Sequence, residues 1–304
     1  MSEKEWRVDV CAATYRRTEL LATLLDSLEN QTLDEGVRLR IVVVDNDAET
    51  TAREVVAKFA ARSRWPVVYD VEPEKNIAKA RNRALAHAQG EYLIFIDDDE
   101  YASPDWLMRM LNASQAYDAD VVFGPVLAVY PEGTPDWIKR GGFFDRPRMS
   151  TGTRLPHGAT NNTLVRMDYI RQSGAMFNSD YGLTGGEDID FFWNLGQQGA
   201  RMVWCDEALV WEPVSRDRMR IGWLMGRALR GGQMVGRIFK RPLDARAKAL
   251  WLGNRLGLLL IAVAALPFAW LGGRVWGVKV LQKVYSNVGQ LTSLGEMYYQ
   301  EYKG

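Results

Sequence analysis

A chain of 304 residues has room for one large α/β domain, or for one domain with an appendage. With 47% hydrophobic residues it can build a sizeable core, which excludes a disordered protein. Zero formal net charge excludes a global pull toward nucleic acid, and two distant cysteines, Cys11 and Cys205, exclude a disulfide framework or a metal knuckle; they read as buried thiols in a reducing compartment.

The opening residues, MSEKEWRVDV, contain no apolar h-region, so no signal peptide is expected and the chain is expected to start in the cytoplasm. Val8 to Ala13 reads as a strand. Glu19 to Gln31 reads as a helix, with Leu20, Leu21, Leu24, Leu25 and Leu28 at helical spacing. Leu39 to Asp45 is a continuous β-branched run, the pattern of a strand covered on both faces. A helix over 50–61, a strand over Pro66 to Val71 and a helix over Ile77 to Ala88, closed by Gly90, lead to a fourth strand, Tyr92 to Asp97. This alternation predicts a mostly parallel sheet with helices on both faces.

Such sheets bind ligands just beyond the C-terminal ends of their strands. The polar residues gather there. Thr14, Tyr15 and Arg16 follow the first strand, Asp45, Asn46 and Asp47 the second, and Asp97 to Asp99 the fourth.

Further on, Val121 to Gly133 reads as a strand bent at Gly124-Pro125, and Thr160 to Ile170 as a strand entering a helix. The Gly/Pro/Arg-rich loop between them, Gly133 to Gly158, is long enough to be functional or mobile. A glycine-rich turn opens a helix from about Glu187 to Gln198, stopped by Gly199. Arg201 to Cys205 and Ala208 to Val210 read as a short β-pair.

From Arg216 the chain changes character. Arg216 to Arg255 holds eleven basic residues against two acids, a net of nine positive charges offset by nine negative ones elsewhere. A block of that kind calls for an anionic partner or surface. Leu256 to Gly273 follows without a charge, interrupted by Pro267, with Trp251 and Trp270 near its ends and Arg274, Trp276 and Lys279 beyond it. About 20 apolar residues span a bilayer, so this run can span, dip in or lie flat, or else pack as a core helix. The expected organisation is a catalytic domain over 1–215 and a basic, apolar helical region over 216–304 that associates with membrane.

Three clusters carry chemistry. Asp97, Asp98, Asp99 and Glu100 follow directly on an apolar strand. Mutually repelling carboxylates there point to a hard divalent cation, Mg2+ or Mn2+, and Asp97 and Asp99, as alternate residues, project to one side of an extended segment. A P-loop ATPase would need a Gly-Lys pair, and the chain has none. The plain alternative is a solvated turn before a helix starting near Pro104. Next, Lys79, Arg81 and Arg83 crowd the helix that begins at Asn76, either as a basic surface or to meet phosphate or carboxylate at the site. Last, Gly185-Gly186 allow close backbone approach, and Glu187 and Asp188 fall in a first helical turn. Acids there suit the helix dipole, or supply a general base.

The ordered set AATYRR, VVVDND, NIAKARN, FIDDDE and GGEDIDFFWNL, over roughly Val8 to Gly232, resembles the family 2 glycosyltransferases. More closely, it resembles bacterial exopolysaccharide glucosyltransferases of the succinoglycan type. The resemblance implies a GT-A fold, a nucleotide-sugar (UDP-sugar) donor, a divalent metal and inversion at the anomeric carbon. It implies that Ala13, Thr14 and Tyr15 line the uridine pocket, and that Asp45 binds uracil or ribose beside Asn46 and Asp47. Asn76, Ala80, Arg81, Asn82 and Glu187 would lie near the donor. Asp97 and Asp99 would form the D-x-D pair, with Asp99 as direct metal ligand and Asp97 shared with ribose or sugar. Asp188 would be the base, and Arg227 and Arg230 would face the pyrophosphate or acceptor. Where these enzymes often carry a His, this chain has Glu212, whose oxygens suit Mg2+ or Mn2+ as a ligand or which orients a neighbour. The implied acceptor is a polyprenyl-diphosphate-linked saccharide, and the implied location the inner face of the bacterial cytoplasmic membrane. Two alternatives stay beside this reading: a degenerate transferase acting as a scaffold, and a sugar nucleotidyltransferase, for which the Gly-rich basic N-terminal loop is lacking.

Overall fold

The structure, a computed structural model, describes residues 5–295 and Tyr298. Its elements in chain order are β1 (Trp6–Thr14), α1 (Thr18–Glu29), β2 (Val37–Asp45), α2 (Arg53–Ala60), β3 (Val67–Val71), α3 (Ile77–His87), β4 (Tyr92–Phe95), β5 (Tyr101–Ala102), α4 (Trp106–Ala116), β6 (Val121–Phe123) and β7 (Val126–Val129). Then come α5 (Asp136–Gly141), β8 (Thr163–Arg166), α6 (Met167–Ser173), α7 (Glu187–Gln197), β9 (Met202–Trp204), β10 (Val210–Pro213), α8 (Ile221–Phe239), α9 (Ala245–Leu271) and α10 (Arg274–Thr292). The chain divides into two compact units. One comprises residues up to Ala128 with Arg146–Pro213, the other Val129–Asp145 with residues from Val214 onward.

The first unit is built on a seven-stranded sheet, order β3-β2-β1-β4-β8-β6-β9. Strands β3, β2, β1 and β4 are parallel, β8 is antiparallel to β4 and β6, and β9 is parallel to β6. Successive strand residues point to opposite faces, and both faces are covered. Val10, Ala12, Ile41, Val43 and Ile94 pack with the leucines of α1, Phe59 of α2 and Trp106 of α4. Cys11, Val42, Val44, Leu93 and Phe95 pack with Ala78, Ala80 and Ala84 of α3, Ile170 of α6 and Phe191 and Phe192 of α7. This double burial is why β2 reads as an unbroken apolar run. The mostly parallel α/β sheet expected from the sequence is the sheet observed.

Register places the site. Thr14 stands opposite Asp45, and Cys11 opposite Phe95. The C-terminal ends of β1, β2 and β4 therefore open side by side at one edge of the sheet.

One expected pairing is not formed. Strands β9 and β10 belong to different sheets: β9 joins β6, whereas β10 pairs with β5 in a second sheet of order β5-β10-β7. Asn162 ties the turn before β10 to the turn after β6. Its Nδ2 donates to Pro125 O and to Ala208 O, both at 2.8 Å.

In the second unit, α10 packs along α8 and α9. Glycines set the closeness of the α8–α10 pair. A Cβ on Gly232 would lie 2.0 Å from Ser286 O, and one on Gly289 would lie 2.0 Å from Leu229 O. Helix α9 runs through Pro267 and carries most of its apolar surface exposed. Among the described residues it is the one helix long and apolar enough to cross a membrane. The alternative of a buried core helix does not hold for it. Cys11 and Cys205 are both buried and free.

Candidate active site

The acid turn after β4 is the centre of the site. Asp98 points back into the scaffold: its Oδ2 accepts from Thr14 Oγ1 at 2.7 Å and its Oδ1 from Arg17 Nη1 at 3.1 Å. Burial pushes its pKa up to about 6, against the pull of Arg17. Arg17 Nη1 also reaches Asp99 Oδ2 at 3.0 Å. Asp97 is more open; Arg81 Nη2 donates to its Oδ1 at 3.3 Å. Glu100 is fully buried beneath the turn. Its Oε2 accepts from the Asp97 N–H at 2.9 Å, while its Oε1 has no hydrogen-bond partner among the described residues. Burial, followed by the Asp97 charge, raises the Glu100 pKa well above the carboxylate range, and burial also raises that of Asp97.

Two basic side chains tie this turn to other elements. Arg81, buried in α3, bridges Asp97 and Glu187, the first residue of α7. Glu187 is 3% exposed and its Oε2 has no partner among the described residues. Burial outweighs the Arg81 charge and lifts its pKa to about 7. Arg146 Nη2 holds Glu212 Oε2 at 2.6 Å.

Helix α7 can start where it does because Gly185 and Gly186 take φ values of +75° and +96°, which favour glycine. Asp188 follows in the first turn, partly exposed, with Oδ1 accepting from the Ile189 N–H at 2.7 Å. His157 feels its charge; burial lowers the His157 pKa more than Asp188 raises it.

The residues expected to bind the donor divide into two groups. Thr14, Asp45 and Asn76 make hydrogen bonds within the scaffold at the strand ends. Asp45 is 0% exposed; its Oδ1 accepts from the Asp47 N–H, and its Oδ2 from the Ala52 N–H and the Tyr69 hydroxyl. Asn76 caps α3 by accepting from the Lys79 N–H and donates through Nδ2 to Ser179 O. Asn46 accepts from the Asn76 N–H, Asn82 exchanges two bonds with the Phe177 backbone, and Ala80 lies in the core. Ala13 packs against that core. Tyr15 forms an open rim, its ring faced by Lys75 Nζ at 4.4 Å and Arg16 Cζ at 5.3 Å, with Arg16 in turn held by Asp47 at 3.0 Å. Arg227 and Arg230 lie on α8, in the second unit.

Asp97 and Asp99 are the residues that can hold a cation. No group of three His, Cys, Asp or Glu side chains among the described residues makes a closed cage. One or two carboxylates with the remaining positions left to phosphate oxygens is the donor set that suits Mg2+ or Mn2+. The surplus of buried carboxylate around Glu100 fits a cation there too. Glu212, expected as a ligand or as orienting a neighbour, pairs with Arg146. Arg17, Arg146 and His157 escaped the sequence reading, and Glu100 was read only as one of the acid cluster; the one signal for Arg17 was its position just past the end of β1.

Comparison with known proteins bears on this geometry. The family model described as Glycosyl transferase family 2 matches residues 9–174. The succinoglycan biosynthesis protein ExoM of Rhizobium meliloti (strain 1021) is 37% identical over 238 residues, covering 78% of this chain and 77% of that protein. Among solved structures, the mannosyltransferase PcManGT from Pyrobaculum calidifontis, in complex with GDP-Man and Mn2+, is similar with a TM-score of 0.66 and 18% identity over 96% of this chain and 88% of that one. S. aureus TarS 1-349 in complex with UDP is similar with a TM-score of 0.56 and 16% identity over 97% and 93%. The GT-A fold expected from the sequence is the fold shared with these two.

Proposed function

This chain belongs to glycosyl transferase family 2, and from that premise we propose that it moves a hexose from a UDP-sugar, with inversion, to a hydroxyl of a polyprenyl-diphosphate-linked saccharide in bacterial exopolysaccharide synthesis, at the inner face of the cytoplasmic membrane. The observation that carries this reading is the Arg81 bridge, which ties the Asp97–Asp99 turn to α7, the helix that presents Asp188. The name of the 37% identical relative supports a role in exopolysaccharide synthesis. The UDP complex of TarS and the Mn2+ complex of PcManGT support a nucleotide-sugar donor and a divalent cation.

Asp99 and Asp97 would hold Mg2+ or Mn2+, which when bound supplies charge neutralisation for the departing nucleoside diphosphate. The chain's own residues do the rest. Arg81 fixes the Asp97 carboxylate and, through Glu187, the start of α7. Asp188 takes the proton of the acceptor hydroxyl as that oxygen attacks the anomeric carbon from the face opposite the leaving group. Tyr15, Arg16 and Lys75 form an apolar and cationic rim suited to the nucleoside end. The catalytic domain is proposed over 1–215 and the membrane-associating region over 216–304. The test is a panel of UDP-sugars with Mn2+ and membrane lipid extract. Label enters the lipid fraction, and excess EDTA abolishes it; full transfer in EDTA would refute the metal assignment.

A further inference from the structure

The second unit carries an apolar surface that the transfer chemistry does not use. Leu260, Ile261, Phe268 and Leu271 of α9 are exposed, Leu271 at 86%. Contiguous apolar surface of this kind marks an interaction site. From Ala245 to Thr292, through α9 and α10, there is no acidic residue, and there are six basic ones: Arg246, Lys248, Arg255, Arg274, Lys279 and Lys283.

A helix apolar all round reads as a transmembrane span. The packing of α10 argues against a crossing. The chain turns back at Gly272-Gly273, and α10 packs along α9, with Gly277 seated so close to the Trp270 ring that a Cβ would lie 2.4 Å from it. Exposed on α10 are Arg274, Trp276, Lys279, Lys283 and Tyr285, with Lys279 and Lys283 four residues apart on one face. At the start of α10, Arg274 stacks on Trp137 of α5 at 4.2 Å; just past its end, Ser293 O accepts from Lys240 Nζ at 2.6 Å. If α9 crossed a bilayer, Lys279 and Lys283 would enter hydrocarbon with it, at a cost that rises with each cation.

We propose that α9 and α10 act as one amphipathic hairpin that lies in the plane of a single anionic leaflet, α9 immersed at the boundary of headgroups and acyl chains and α10 turning Lys279 and Lys283 to the phosphates. α9 alone lacks the polar face of an interfacial helix; its partner supplies that face. Charge complementarity selects anionic lipid over a second copy of the chain, whose matching face would set like charges together. The inference rests on the membrane-bound reading above for the presence of a bilayer, and on the second unit alone for the geometry.

The test uses the full chain, in which Cys11 and Cys205 are buried, with single cysteines placed at Ala264→Cys on α9 or Lys283→Cys on α10. Protein is added outside preformed vesicles of phosphatidylcholine with phosphatidylglycerol and treated with a membrane-impermeant maleimide. A264C is expected to be labelled in solution and shielded on vesicles, and K283C to be labelled in both. Shielding of K283C on vesicles would overturn the in-plane placement and leave the membrane-bound reading standing. Absence of vesicle binding would overturn both, and so would shielding of A264C through self-association without lipid. As a second measurement, Lys279→Ser with Lys283→Ser is expected to weaken binding to the anionic vesicles roughly thirtyfold, the equilibrium equivalent of about 1 kcal/mol for each lysine, and to leave binding to pure phosphatidylcholine unchanged. An unchanged affinity for the anionic vesicles would contradict the role given to α10.

Discussion

The Arg17 guanidinium sits against the Asp99 carboxylate, Nη1 to Oδ2 at 3.0 Å, on the same atom that reaches Asp98 at 3.1 Å. One protein cation thus faces the carboxylate assigned to the divalent metal. Arg17 is partly exposed, so the pair is worth about 0.5–1 kcal/mol after solvent screening. Replacing Arg17 by Met is therefore expected to tighten Mn2+ binding by the nucleotide-free protein about two- to fivefold. Titration followed by the free-Mn2+ electron paramagnetic resonance signal checks this; unchanged or weaker binding would remove Arg17 as a competitor.

Glu187 links stability to pH. Burial holds its pKa at about 7 in the folded protein, above its ordinary 4.5. Between those values the folded state binds more proton than the unfolded state, so the contribution of this group to stability falls as pH rises through the interval. Glu187→Gln keeps an oxygen for Arg81 and removes the titration. The melting temperature of the wild type is expected to drop between about pH 5 and about pH 8, and that of E187Q to drop less. Parallel curves would mean that Glu187 stays charged throughout.

Two glycines of α8 make opposite predictions. A Cβ at Gly232 would meet Ser286 O at 2.0 Å, so Gly232→Ala forces α8 and α10 apart at about 1–3 kcal/mol. Nothing lies within 4 Å of a Cβ at Gly226, so Gly226→Ala gains helix propensity of up to about 1 kcal/mol. Urea unfolding midpoints that move the same way in both variants would contradict the close α8–α10 packing.

The sheet was legible because its strands are buried on both faces. Runs such as Leu39 to Asp45 have no helical reading, and the polar residues that follow them mark the site edge. The acid turn, Arg81 and the start of α7 were legible for the same reason, as polar groups where the chain leaves the core. Strand β5 was not, because two residues, Tyr101 and Ala102, carry no period. Strands β9 and β10 suggested a hairpin by proximity in sequence; the competing partners β6 and β5 are distant in sequence, and only the fold brings them near. The N–H of Ala52 that Asp45 accepts from had no signature, because a carboxylate at a strand end looks the same in sequence whatever it meets. Arg146 sits in a loop with other arginines, and its pairing with Glu212 has no local signature.

The central claim is that Asp188 is the base of glycosyl transfer, and Asp188→Asn tests it most directly. Transfer of label from the UDP-sugar donor to lipid-linked acceptor is measured in wild type and variant, with donor affinity measured on the same preparations. Transfer is expected to fall about 10²–10⁴-fold while donor affinity stays unchanged. Wild-type transfer by D188N at equal donor affinity would contradict it.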